Sequence, residues 1–251
     1  MELTYAQKQE IFKNGFVKVP GVVPQVMVES ALRGINNSVG EGMNTDEMVT
    51  FRSRSYCPEL QGSPIITDLL NRTPAWELAE SAIGVGKIIR PKGGQIALRF
   101  PSIQDPPPKP GGHLDGMYSP HNGVPKGVIR NFTMLVGVYL SHVPQPYSGN
   151  FTVWPGTHHV YEKYFQEHGP ESLLDGMPPV ELPEPHQITG EPGDVIIAHY
   201  QIAHTAAANV SPHARYAIFF RLRHVDHPDY RPEAMTDIWL EWEGMQDIVA
   251  A

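Results

Sequence analysis

Three side chains bring metal chemistry into view before any fold is assumed. His113 and Asp115 flank Leu114, and His204 lies ninety-one positions further on. Two imidazoles and a carboxylate can take one face of an octahedral ferrous ion, leaving three positions for dioxygen and an organic co-substrate. On an extended segment residues i and i+2 point the same way, so His113 and Asp115 can reach one ion. His204 must arrive from a distant strand. Arg215 stands eleven positions beyond His204. A planar two-donor guanidinium there suits the distal carboxylate of a co-substrate buried in a barrel.

An H-x-D triplet alone is a weak pattern, and the residues around the second histidine are what strengthen it. The run from Val195 to Ala203 is an apolar strand leading into His204, and Tyr216-Ala217-Ile218-Phe219-Phe220 is a strand just past Arg215. His199 is the rival ligand, but Arg215 is in register with His204. The competing reading of Arg215 is an arginine exposed at a strand end, the reading given to Arg221 and Arg223. His158 and His159 follow the Pro155-Gly156-Thr157 turn and read as residues that cap or solvate a helix start. His121 and His142 are either pocket-lining or surface residues, and Trp154 reads as core.

The elements that must position these residues fall into two parts. Thr4 is a possible N-cap for a helix over 4–13, and Phe16–Val19 reads as a short strand. Pro24 suits a first helical turn, Val28, Ala31, Leu32, Ile35 and Val39 share one face, and Gly40 can end that helix. Residues 41–62 read as polar and irregular, with Arg52 and Arg54 exposed or pocket-facing. Ser63-Pro64 and Thr73-Pro74 predict two short helices, 64–71 and 74–83. From residue 87 the period becomes two. Short β-branched or aromatic runs at 88–90, 95–100, 132–140, 151–154, 195–199 and 216–223 lie between turn residues. Gln95, Ala97 and Arg99 alternate with Ile96, Leu98 and Phe100, giving one polar and one apolar face. A helix is expected at 159–168 and a C-terminal one at about 232–242. The pattern predicts a mainly β chain with flanking helices: a helical N-terminal third (about 1–86) and an antiparallel jelly-roll or cupin-like barrel (about 87–224) within one domain, 1–251.

Composition narrows the classes of function. A formal net charge of −8 argues against a nucleic-acid partner. The single cysteine, Cys57, excludes an internal disulfide, fits a reducing compartment and reads as a small structural residue. Met1-Glu2-Leu3-Thr4 lacks the basic and apolar parts of a signal peptide, and no apolar run approaches about 18 residues. A soluble cytoplasmic protein without a membrane partner is the expectation. The 25 prolines cluster in connections. The stretch 105–112 before His113 and the segment 157–192 are each either surface connections or a rim over a pocket.

The motifs together resemble one family. Gly112-His113-Leu114-Asp115-Gly116, the stretch Ser148-Gly149-Asn150-Phe151 to His158, Gly193-Asp194-Val195-Ile196, and His204 with Asn209, Ser211 and Arg215 occur in its expected order over about residues 90–224. The chain is similar to the phytanoyl-CoA dioxygenase family of Fe(II)- and 2-oxoglutarate-dependent oxygenases. The resemblance implies a double-stranded β-helix, Fe(II) on His113, Asp115 and His204, and the 2-oxoglutarate C5 carboxylate on Arg215. It makes Gln95 the glutamine on the co-substrate side. Several relatives carry a serine where this chain has Ala206, which leaves Thr205, Ser211 or Thr133 to assist Arg215. Asp115 separates the chain from related halogenases, which replace this carboxylate with a small residue.

The expected activity is oxidation, hydroxylation first, of an unactivated C–H bond in a small molecule, with O2 consumed and succinate and CO2 released. Arg99, on the same face as Gln95, is a candidate substrate contact, as are Met117, Tyr118 and His121. The approach to the triad is Pro-rich rather than Lys/Arg-rich, which disfavours an acyl-CoA and favours a polar substrate such as a glycoside or other secondary metabolite. Two other readings stay open: a cupin-like metal oxygenase or isomerase that does not use 2-oxoglutarate, and a non-catalytic metal-binding β-barrel module.

Overall fold

Capping chemistry sets the first helix. The Thr4 hydroxyl accepts from the Gln7 amide while the Gln7 side chain accepts from the Thr4 amide, satisfying two amides that lack helical partners. The computed structural model describes residues 1–250. Helix α1 (Tyr5–Asn14) is followed by α2 (Gln25–Gly40), whose stripe of Val28, Ala31 and Ile35 is buried, and by the short α3 (Met48–Ser53). The expected proline-led pair follows as α4 (Pro64–Asn71) and α5 (Pro74–Ile83). The stretch 41–62 is more ordered than its polarity suggests: besides α3 it holds 3-10 turns at Thr45–Glu47 and Pro58–Leu60.

The strands are β1 (Phe16–Val19), β2 (Ile88–Ile89), β3 (Gln95–Arg99), β4 (Met134–Tyr139), β5 (Phe151–Val153), β6 (His186–Gln187), β7 (Val195–His199), β8 (His204–Ala206) and β9 (Arg215–His224). Six form an antiparallel sheet in the order β1-β7-β4-β9-β2, with β3 also on β9, and three form a second sheet, β6-β5-β8. The two-residue β6 and three-residue β8 are too short to show a period in sequence.

Both faces of the large sheet are covered. Met134, Val136, Val138, Val195, Ile197, Ile218, Phe220 and Leu222 pack into a core shared with α2, α4 and α5. Leu135, Tyr139, Ile196, Ala198, Ala217 and Phe219 join a second core with Phe151 and Val153 of the small sheet. This is why β4 and β7 read as continuous apolar runs rather than as alternation. Helix α6 (Thr157–His168) starts two residues before its expected position.

The C-terminal expectation is corrected. Only Glu233–Thr236 (α7) is helical; Asp237 leaves the helical region, and the Ile238 amide donates to the Glu162 carboxylate. Trp239 and Trp242 are then buried against His199. Aromatic burial outweighs local helix preference here. A last turn, α8 (Gln246–Val249), closes the described chain. Among the described residues no helix is long and apolar enough to cross a membrane.

Candidate metal centre

His113 and His204 meet as backbone partners before they meet as side chains. Each donates its amide to the other's carbonyl at 3.0 Å, an antiparallel bridge that pins the loop before Asp115 to β8. Their rings lie 4.7 Å apart, and the Nε2 of each stands 3.7 Å from Asp115 Oδ1. One ligand atom from each of the three residues falls within 4.8 Å of the others, a cluster able to hold a metal ion.

The protonation states suit that purpose. His204 Nδ1 lies 3.0 Å from the Ile202 carbonyl; a carbonyl only accepts, so Nδ1 donates, which leaves Nε2 as the nitrogen that can bind a metal. About half of the His113 side chain is open to the cavity. The protein closing round the other half, with His204 and Arg221 nearby, still lowers its pKa and favours the neutral ring, against the pull of Asp115. Burial would raise the Asp115 carboxyl, but Arg221, with His113 and His204, overrides burial and holds it well below its ordinary value.

Arg221, read as a surface strand-end residue, is indeed exposed, but it lies within β9 and engages the triad. Its Nε and Nη2 lie 2.9 and 2.8 Å from Asp115 Oδ2, and Nη1 donates to Gln95 Oε1 at 2.9 Å. One carboxylate oxygen faces the histidines and the other is fixed by Arg221. A signal was present in the sequence: counting by two along β9 puts Arg215, Ala217, Phe219, Arg221 and Arg223 on one face.

Arg215 begins β9 and is buried, 1% exposed. Its Nε donates to the Gly149 carbonyl at 2.7 Å and Nη1 to the Ala97 carbonyl at 3.0 Å, while buried Nη2 has no partner. Arg99, its cross-strand neighbour, likewise has a buried Nε without a partner. Burial lowers the Arg215 pKa to about 10, and burial together with Arg215 and Arg52 lowers that of Arg99 to about 9. Both stay charged at neutral pH, and neither has a carboxylate partner among the described residues. Two dehydrated cations side by side favour an anion between or before them. The left-handed Gly149 (φ +75°) permits the packing, since a Cβ there would stand 2.9 Å from Arg99 Cβ and 3.1 Å from Arg215 Cβ.

These groups share a cavity of about 510 Å³ that also holds Gln95, Met117, Tyr118 and Thr205, with Ala97, Leu135, Phe151 and Phe219 as its apolar wall. Met177, which accepts from the Leu114 amide, brings the segment after α6 to the same cavity; the 105–112 stretch contributes no lining residue.

Other candidates lie elsewhere. Thr133 Oγ1 is engaged by the Glu241 carboxylate and the His224 amide just before β4 and does not line the cavity, so it is not placed to assist Arg215. Ser211 bonds to Asn209 Oδ1 and the His213 carbonyl in a loop outside the cavity. His121 is exposed, and its carbonyl rather than its ring is used, by Arg54. His199 is excluded as a ligand: its Nε2 donates to the Ile238 carbonyl and its Nδ1 accepts from the Gln201 amide. Arg52, read from the sequence as exposed or pocket-facing, does line this cavity, and beyond Arg221 the sequence reading missed Met177. Met177 carries no local motif.

No protein-family model and no curated protein matches the sequence. Solved structures do. The chain is similar to the non-heme alpha ketoglutarate dependent carbocyclase SnoK from nogalamycin biosynthesis, at 18% identity, with 92% of this chain and 87% of that one covered and a TM-score of 0.56. HygX from Streptomyces hygroscopicus, with nickel and 2-oxoglutarate bound, is 19% identical over 91% of this chain and 90% of its own, TM-score 0.57. EctD from S. alaskensis, with 2-oxoglutarate and 5-hydroxyectoine, is 15% identical over 92% and 79%, TM-score 0.58. The chain thus has the mixed helical and antiparallel-sheet fold of these enzymes.

Proposed function

We propose that this protein is an Fe(II)- and 2-oxoglutarate-dependent oxygenase that oxidises, by hydroxylation, an unactivated C–H bond of a polar small molecule, in a double-stranded β-helix spanning one domain. The observation that carries this reading is the pairing of two features in one cavity. Three ligand atoms lie within 4.8 Å of one another, and a buried guanidinium nitrogen, Arg215 Nη2, has no partner. A metal module without a co-substrate has no use for that nitrogen. The fold shared with enzymes solved with iron or with 2-oxoglutarate and a metal agrees with it.

His113, Asp115 and His204 would hold Fe(II), and Arg215 the distal carboxylate of 2-oxoglutarate. Bound iron supplies the oxidising chemistry, in which one 2-oxoglutarate and one O2 yield succinate, CO2 and an oxidised substrate. The chain's own work is position and exclusion. His204 is held in one tautomer by Ile202, Asp115 is fixed by Arg221, and the apolar wall keeps water from the co-substrate cavity. Gln95, tied to Arg221, and Arg99, Met117 and Tyr118 are placed to contact co-substrate or substrate.

Anaerobic addition of Fe(II) and 2-oxoglutarate should give a weak visible charge-transfer band; its absence would sink the proposal. Arg215→Ala should keep iron while raising the 2-oxoglutarate requirement by roughly 100-fold, the loss of two charge-assisted hydrogen bonds. An unchanged requirement would favour a cupin-like enzyme that does not use this co-substrate.

A further inference from the structure

Beyond Asp115 the cavity opens into a second groove of about 460 Å³, and the two share Ser53, Asp115, Asn122 and Arg221. Arg54, from the end of α3, Arg130, from the loop before β4, and Arg221 and Arg223 of β9 line it. Its two acids are already engaged, Asp115 by Arg221 and Asp229 by Arg223. Arg54 and Arg130 have no carboxylate partner among the described residues. The groove continues past Arg221 and Arg223 to Arg90 and Lys92. Eight of the chain's eleven arginines line these connected spaces, although the protein carries a net charge of −8. Such focusing of one sign in a cleft, against the sign of the whole molecule, raises the local concentration of the opposite charge.

The placement is built into the backbone. The Arg130 amide donates to the Gly116 carbonyl at 2.9 Å, one residue from Asp115. Gly116 has φ +92°, and a Cβ there would stand 1.9 Å from the Arg130 carbonyl oxygen. Only glycine lets the Arg130 segment come this close to the metal-ligand loop. Arg54 is held over the same loop by its bond to the His121 carbonyl.

We propose that this groove binds a phosphate group carried by the substrate. Guanidinium forks match the several oxygens and double charge of a phosphate monoester better than those of a single carboxylate. The volume suits a small phosphorylated metabolite whose carbon skeleton reaches past Arg221 toward the triad. The inference rests on the reading above, in that Arg215 and the first cavity are reserved for 2-oxoglutarate.

The test is calorimetric titration of the metal-free protein with inorganic pyrophosphate. Saturable one-site binding is expected, weakened roughly tenfold by Arg54→Gln and by Arg130→Gln, as for loss of one charge-assisted hydrogen bond, and unchanged by Arg215→Ala. Both glutamine variants sit at exposed positions, and circular dichroism verifies their fold. The proposal is overturned by absence of saturable binding, by equal binding of tricarballylate, or by loss of binding in Arg215→Ala with the other variants unaffected. Failure of the oxygenase reading has a separate signature: Arg215→Ala then leaves 2-oxoglutarate affinity unchanged, whatever pyrophosphate does.

Discussion

Asp115 divides its two oxygens between two partners, and Arg221 is what enforces the division. Oδ1 faces both histidines at 3.7 Å while Oδ2 is held by two nitrogens of Arg221. Partners that orient a ligand typically contribute 10–100-fold in metal affinity. Arg221→Gln should therefore weaken Fe(II) binding by roughly tenfold or more, read by competition with a chelator. An unchanged affinity would show that Arg221 does not position the carboxylate. Gly149 is the corresponding point on the co-substrate side. Gly149→Ala adds about 1–2 kcal/mol of left-handed strain and pushes against Arg99 and Arg215. A fall in 2-oxoglutarate affinity is expected with iron affinity retained, and calorimetry on the variant checks it.

Strand β9 does most of the arranging at the level of elements. Its even face (Tyr216, Ile218, Phe220, Leu222) packs toward the helices, and its odd face carries Arg215, Phe219, Arg221 and Arg223. Six residues of extended chain span roughly 20 Å, so one strand serves both the co-substrate end and the groove beyond Asp115. The C-terminal segment is tied to this sheet by polar groups rather than by a helix. Glu241 is almost fully buried and accepts from His227, Arg231 and Thr133. Glu241→Gln should cost about 3 kcal/mol, the scale for breaking a buried ion pair, and lower Tm by roughly 10 °C. A Tm shift under 2 °C in thermal denaturation would refute this anchoring role.

Acid sensitivity belongs to the whole molecule, because α1, α6, β7 and the C-terminal segment meet at a histidine cluster. Burial lowers the His199 pKa to about 4, opposed by its bond to the Ile238 carbonyl and by Glu162 and Glu241. His158, against His199, His159 and the Phe12 carbonyl, is also pushed well down, first by burial. Between pH 6.5 and 4 the unfolded chain binds protons that these rings refuse, so stability falls as pH falls. For His199 the shift corresponds to about 3 kcal/mol. His159 runs the other way: Glu162 raises its pKa, so its contribution is present in acid and is lost as pH rises through that raised value. Chemical denaturation at pH 7.5, 6 and 5 should show decreasing stability, steepest below pH 6.5, and His199→Gln should flatten the curve.

Local chemistry determined much of this protein. Thr4 with Gln7 caps α1, the Ser-Pro and Thr-Pro pairs start α4 and α5, period-two runs mark β3 and β9, and a continuous apolar run marks β7. His113, Asp115, His204 and Arg215 were legible because their chemistry is rare and their spacing fits strands. The sequence could not show which groups share a cavity, since that depends on contacts between distant segments. Arg54, Arg130 and Arg223 lie far apart along the chain, so the stretch beside His113 reads as Pro-rich while the folded mouth is Arg-rich. Thr133, just before β4, is taken up by Glu241 and His224, whereas Arg221 of β9 reaches Asp115; only the tertiary packing decides which of these groups meets the metal cavity.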